Sequence, residues 1–203
     1  MKKDRKLIII GDSVFAQLAY EFFTYDSRYE VVAFAVERAY LKRDSLGALP
    51  VIAFEDLESF YPPEDYSFFA AIVFTSLNRL RTRLYLEAKA RGYTPASYVG
   101  SNAQVHPTTS VGEHCFVCEA TVVHPSAMVG SNVVLWSGTF VGDHAVIGNN
   151  CFTLPHALIS GFAQIGDNCI VGPNASVGEN VVVGNDCWIE AGQLVTEDMI
   201  ANG

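Results

Sequence analysis

From Val99 to Val195 an apolar residue returns at every sixth position: Val99, Val105, Val111, Val117, Val123, Val129, Leu135, Val141, Ile147, then Ile159, Ile165, Val171, Val177, Val183, Ile189 and Val195, with Thr153 the single break. Glycine often follows this lead residue, as at Gly100, Gly112, Gly130, Gly142, Gly148 and Gly166. The fourth residue after the lead is small nearly every time, as at Ala103, Thr109, Cys115, Thr121 and Ala127. Neither the 3.6-residue helix period nor the two-residue alternation of a strand holds this phase over such a length. A fixed short period predicts a solenoid, in which each unit buries its apolar face against its neighbours.

Residues 6–98 follow a different rule, with continuous apolar runs alternating with helical periodicity. Leu7–Ile10 reads as a buried parallel strand. A helix is expected from about Val14 to Phe23, a second strand over Glu30–Val36, and a short element at Leu49–Ile52. A further helix starts near Glu55 and stops before Pro62-Pro63, and Phe68–Phe74 forms another buried strand. Ser76 is expected to cap a helix running to Arg91 and stopped by Gly92. Ala96–Val99 is expected as a last strand leading into the repeats. This order predicts a small Rossmann-like βαβ domain with a mainly parallel sheet.

Charge divides the chain at the same place. All 13 Lys and Arg precede Tyr93, and the formal net charge is −9. The repeats carry only acids: Glu113, Glu119, Asp143, Asp167, Glu179, Asp186, Glu190, Glu197 and Asp198. Nothing there neutralises phosphates, so no nucleic-acid partner is expected. No apolar run reaches the roughly 18 residues of a membrane span. The apolar run after the basic start is too short for a signal-peptide core, so a cytoplasmic location with no membrane partner is expected.

Four cysteines, Cys115, Cys151, Cys169 and Cys187, take the small slot of the repeat and read as core. Cys115-Phe-Val-Cys118 resembles half a metal site, but no second pair completes it, and Cys118 falls in an outward slot. No metal is expected. The loop Gly11-Asp12-Ser13 follows the first strand, where such folds bind phosphates at a helix N-terminus. A simple capped turn is an equal reading. Glu37 and Arg38 follow the second strand, where a nucleoside is often gripped; a solvated loop is an equal reading. Arg79, Arg81 and Arg83 are spaced by two along their helix and read as a solvated face. Residues 18 apart are expected to stack about 4.8 Å apart. His106, His124 and Gly142 then form a column, which makes a cluster of His124, Asp143 and His144 geometrically feasible.

A six-residue period with an aliphatic lead and a small fifth residue is the hexapeptide signature of left-handed parallel β-helices. The whole chain resembles the sugar acyltransferases typified by sialic acid O-acetyltransferase and bacillosamine N-acetyltransferase. The resemblance implies a nucleotide-sugar-binding domain at residues 1–98 and a left-handed β-helix acyltransferase domain at 99–203. It further implies a homotrimer that binds acetyl-CoA, or another acyl-CoA, and a nucleotide sugar in clefts between helices, in surface-polysaccharide synthesis. The trimer face is expected to use Leu135, Trp136, Phe140 and Phe152. Gly11, Asp12, Ser13, Glu37 and Arg38 then serve the nucleotide sugar.

In relatives an imidazole deprotonates the acceptor and a carboxylate orients it. In register with Ile147-Gly148, Asp143 falls where the family has its base His, and His144 where it has the carboxylate. A second family His falls at Phe152, and Gly161 matches a backbone contact to acyl-CoA, so these two are the cofactor positions. Three readings stay open: His144 as base with Asp143, His156 as base, or a ligand-binding paralogue without turnover. A metal enzyme like the γ-class carbonic anhydrases needs three His at a subunit interface, a spacing this chain lacks.

Overall fold

The computed structural model describes residues 2–200. The chain forms two compact units: Met1–Thr75 with Leu80–Ser97, and Ser76–Arg79 with Tyr98–Gly203. The division expected after residue 98 falls after Ser97, apart from the excursion at 76–79.

The first unit contains β1 (Arg5–Ile10), α1 (Val14–Asp26), β2 (Tyr29–Val36), β3 (Ser45–Leu46), β4 (Leu49–Ala53), α2 (Leu57–Phe60), β5 (Tyr66–Ala70), α3 (Arg79–Ala90) and β6 (Thr94–Pro95). The strands lie in the order β3-β4-β2-β1-β5-β6. Only the β3–β4 pair is antiparallel. Leu7, Ile8, Ile9 and Ile10 are all buried because both faces of the sheet are covered. On one face, Phe15 and Phe23 of α1 pack against Phe69, with ring centroids 6.2 and 5.2 Å apart. On the other, Ile8, Ile10 and Phe68 join Leu84 and Tyr85 of α3.

Three local expectations are corrected. Ser76 does not cap α3. Ser76, Leu77 and Asn78 adopt left-handed φ values of 49°, 52° and 62°, and the helix starts only at Arg79. This loop belongs to the second unit, where the fully buried Asn78 donates from Nδ2 to the Asn150 carbonyl at 2.6 Å. Arg81 is not on a solvated face either. It is buried, donates to the Ala70 carbonyl at 3.0 Å and lies over the Phe69 ring. Finally, the expected strand Ala96–Val99 is split. Thr94–Pro95 closes the first sheet, and Tyr98–Val99 pairs with Phe116–Val117 in the repeats.

The second unit is a left-handed parallel β-helix. Two-residue strands 18 positions apart pair in register, as Val117 with Leu135 and Val123 with Val141, forming three parallel sheets. The lead residues fill the interior together with the small slot, the cysteines included. The thiols of Cys115, Cys151 and Cys169 donate to the carbonyls of Gly130, Gly166 and Gly184 at 3.0–3.1 Å. Thr153, the polar intruder in the lead column, is satisfied there: its hydroxyl meets Thr139 Oγ1 at 2.8 Å and accepts from the Trp136 amide. The corners are left-handed, and Asn recurs in them because it tolerates that conformation.

Two readings of the outer surface change. Cys118, expected to face outward, is buried, as are Phe116, Val134 and Ile170 on the outer side of the same sheet. Leu135 points into the coil, and Phe152 is buried in a stack with Trp136 (centroids 5.8 Å apart). Neither contributes to an open apolar face. The exposed apolar side chains of this unit are instead Met128, Leu158, Phe162, Val182, Trp188 and Leu194, with Val99 and Ile200 at its ends.

Candidate functional site

Asp143 and His144 sit on the corner joining strand Phe140–Val141 to strand Val146–Ile147. His144 takes the left-handed position of that corner, at φ 56°. Its backbone is pinned by donation to the Pro125 carbonyl one coil away, and the Asp143 carbonyl accepts from the Phe162 amide one coil the other way. The side chains are therefore carried on a rigid frame. His144 Nδ1 lies 3.5 Å from Asp143 Oδ2, and both side chains are about half exposed, at 54 and 51 %. That separation is a little long for a hydrogen bond and short enough for an ion pair once the ring is protonated.

The next coil supports both. A Cβ on Gly161 would lie 3.1 Å from Asp143 Oδ1, so the carboxylate rests against the bare backbone there. The His144 ring stacks on Phe162, with centroids 4.8 Å apart and planes 6° from parallel. Phe162 escaped the sequence reading; the signal for it was the 18-residue stacking rule applied to position 144.

His124 does not join this cluster. Its ring packs edge-on against Phe140 at 4.7 Å, directly after strand Val122–Val123. His106 is engaged with Thr108 Oγ1 at 2.9 Å. His114 is buried and bonded to Asn132 Oδ1 at 2.7 Å. His156 occupies a different corner, its ring lying over Gly138 so closely that a Cβ there would collide with Nδ1. No carboxylate pairs with it among the described residues. Phe152, the expected cofactor contact, is only 2 % exposed, so its ring is closed to a ligand.

In the first unit, a cavity of about 240 Å³ opens at the carboxyl ends of β1 and β2, lined by Gly11, Asp12, Ser13, Glu37, Tyr40 and Leu84 among others. This is where open α/β sheets bind ligands. Gly11 is required there: its φ is 118°, and a Cβ would come within 2.9 Å of the Ala71 carbonyl oxygen. Arg43 neutralises Asp12 at 3.3 Å. Arg83 Nη2 reaches both Glu37 oxygens at 2.9–3.0 Å, and those bonds raise its already high pKa. Arg38 is turned away to Asp56 and does not line the cavity. Tyr40, Leu80 and Leu84 do, and no local motif announced them.

Among the described residues no group of three His, Cys, Asp or Glu is placed to hold a metal ion. Among the described residues no helix is long and apolar enough to cross a membrane.

The repeats match the bacterial transferase hexapeptide (six repeats) over residues 144–179, and the hexapeptide repeat of succinyl-transferase over 126–153 and 163–197. Fold and repeat together make the second unit a hexapeptide-repeat β-helix. The whole chain shares its fold with chains of known structure, acetyltransferases among them. The acetyltransferase domain of PglB from Neisseria gonorrhoeae FA1090 superposes with a TM-score of 0.87 at 24% identity, covering 97% of this chain and 93% of that one. PerB from Caulobacter crescentus, solved in complex with CoA and GDP-perosamine, gives 0.85 at 23% identity, covering 97% and 91%. WeeI from Acinetobacter baumannii AYE gives 0.56 at 17% identity, covering 98% and 95%. At these identities the likeness is one of fold. No curated protein sequence matches the chain.

Proposed function

We propose that the protein is an acyl-CoA-dependent N- or O-acyltransferase, with acetyl-CoA the favoured donor and a nucleotide-linked or free amino sugar the acceptor, in surface-polysaccharide synthesis. The observation that carries this reading is the Asp143–His144 pair, held on a hexapeptide corner with its ring stacked and its carboxylate seated. His144 acts as general base: it takes the proton of the attacking amine or hydroxyl as that atom bonds to the thioester carbonyl, and it returns the proton to the sulfur as the C–S bond breaks, so that CoA leaves as the thiol. Asp143 stabilises the imidazolium that forms. The pair stands in the reverse order of the family arrangement, which sets the imidazole before the carboxylate along the chain. The fold neighbour PerB, crystallised with CoA and GDP-perosamine, supports this choice of donor and acceptor classes.

The cavity at Gly11, Ser13 and Glu37 takes the nucleoside part of the acceptor. Glu37 stands at the end of β2, where a carboxylate is placed to accept from ribose hydroxyls. For the donor, the exposed apolar side chains Leu158 and Val182 suit a pantetheine arm. Its phosphates find no such fit, because Arg79 is the only Lys or Arg in the second unit and it is tied to Asp186 at 2.9 Å. We further read the protein as a cytoplasmic homotrimer, with Met128, Leu158 and Val182 as the apolar surface favouring association.

Acetyl-CoA and a panel of nucleotide amino sugars, followed by thiol release, tests the activity. His144→Asn suits the left-handed corner and removes the base; kcat is expected to fall by at least about 100-fold, and Asp143→Asn by about tenfold. An unimpaired His144→Asn protein would overturn the assignment. Binding of CoA with no turnover on any acceptor would favour the ligand-binding paralogue.

A further inference from the structure

We propose that Phe162 is a positioning residue for His144, its ring fixing the plane in which the imidazole holds Nδ1 toward Asp143 and presents Nε2 outward. The proposal rests on the reading of His144 as the base. It starts from an outlier. The non-glycine left-handed corners of the repeats are otherwise Asn, Asp, Ser, His or Ala: His114, Ala120, Ser126, Asn132, Asn150, Asn168, Asn174, Asn180 and Asp186, with His144 and His156. Phe162 holds φ 58° with an aromatic side chain. The left-handed conformation is costly for an L residue, and only short polar side chains offset it by local hydrogen bonds. Phe162 makes none with its ring, and at 45 % exposure burial does not offset the cost. A bulky residue kept in such a position is a pointer to function.

What the ring does make is the near-parallel stack on His144 at 4.8 Å. That is the rise between coils, so equivalent corner residues meet face to face: Phe162 on one side of His144 and Ser126 on the other. One face of the imidazole is thus covered and the other left open above a small side chain. The contact to Asp143 alone would let the ring pivot about the Nδ1–Oδ2 line. The stack removes that freedom. Two adjacent residues of one coil therefore support the two members of the pair, with Gly161 under the carboxylate and Phe162 under the imidazole. Nε2 has no protein partner among the described residues, which leaves it for the acceptor proton.

The test separates ring from fold. Phe162→Asn places the residue best suited to the corner and removes the stack; Phe162→Tyr keeps a ring; Phe162→Leu keeps apolar bulk only. Phe162→Asn is expected to unfold at no lower denaturant concentration than wild type, yet to lose about tenfold or more in kcat with the KM for acetyl-CoA nearly unchanged. Phe162→Tyr should restore kcat, and Phe162→Leu should not. The His144 ring-proton resonances should move downfield in the Asn and Leu variants, where the ring current is lost, and stay in the Tyr variant. A folded Phe162→Asn protein with wild-type kcat overturns the proposal, as does rescue by Leu equal to rescue by Tyr. His144→Asn distinguishes the two levels: if it is inactive while Phe162→Asn is fully active, the base stands and only the positioning role falls. If His144→Asn is active, both fall.

Discussion

Cys118 follows the lead residue Val117 and belongs on the outer side of its strand, yet it is buried. Burial, and next the nearby charge of Glu119, push its thiol up to about 12 from an ordinary value of about 9. The folded protein therefore keeps a proton that the unfolded chain gives up. Stability from this group is fully present below about pH 9 and declines as pH rises toward 12, by up to about 1.4 kcal/mol per pH unit. Tyr93, also pushed up to about 12 by burial, adds a parallel loss above its ordinary value of 10. The comparison with Cys118→Ala isolates the thiol: between pH 8 and 10.5 the urea midpoint of wild type should fall more steeply than that of the variant. Equal slopes would remove Cys118 from the account. The residue scale is also where the sequence was least informative. The six-residue phase says which side of the coil a side chain leaves from, and it read the inward cysteines correctly. It does not say which outer sides are covered, so it sets both Cys118 and Phe152 outward, where the structure buries them.

At the scale of elements, one corner of the coil carries a ladder. His114 Nδ1 meets Asn132 Oδ1 at 2.7 Å, Asn132 Nδ2 donates to Asn150 Oδ1 at 2.9 Å, and Asn150 Nδ2 donates to Asn168 Oδ1 at 3.2 Å. His114 and Asn132 are fully buried, so water does not replace a ladder bond that is lost. Asn132→Ala removes a middle member, breaks its bonds to His114 and Asn150 and gives up the residue best suited to its left-handed φ. A loss of about 2–4 kcal/mol in equilibrium urea unfolding is expected. A change below about 0.5 kcal/mol would show the ladder to be idle. The columns of this ladder were legible, because a period of 18 is enough to name the residues that stack. The loop Ser76–Arg79 was not. A Ser ahead of a helical pattern reads as a cap, and the partner that redirects this loop, the Asn150 carbonyl, lies 72 residues away. The same limit hid the cavity wall: Gly11 and Glu37 follow strand ends and were visible, whereas Tyr40 and Leu84 reach it only through the packing of the sheet.

Over the whole molecule the net charge of −9 acts on any anionic ligand regardless of where the ligand docks. All of the imbalance lies in the residues from Tyr93 onward, which hold nine acids and no Lys or Arg. The donor proposed here carries several negative charges on its phosphates, and the second unit's only Arg is already paired with Asp186. In most phosphate-binding proteins local cations attract the ligand, so added salt weakens binding. Here the field around the repeats is repulsive. At about 0.01 M salt it reaches roughly 30 Å, and at physiological salt only about 8 Å. Screening should then help the donor approach, by raising the association rate and lowering the KM. The KM for acetyl-CoA is accordingly expected to fall as sodium chloride is raised from about 0.01 to about 0.15 M, in the direction opposite to counterion release. A donor truncated to the pantetheine arm, which carries no phosphate, should show no such fall. If the KM for acetyl-CoA instead rises with salt while the truncated donor is unaffected, cations that outweigh the acids face the phosphates, and the thirteen Lys and Arg before Tyr93 become the place to look for them.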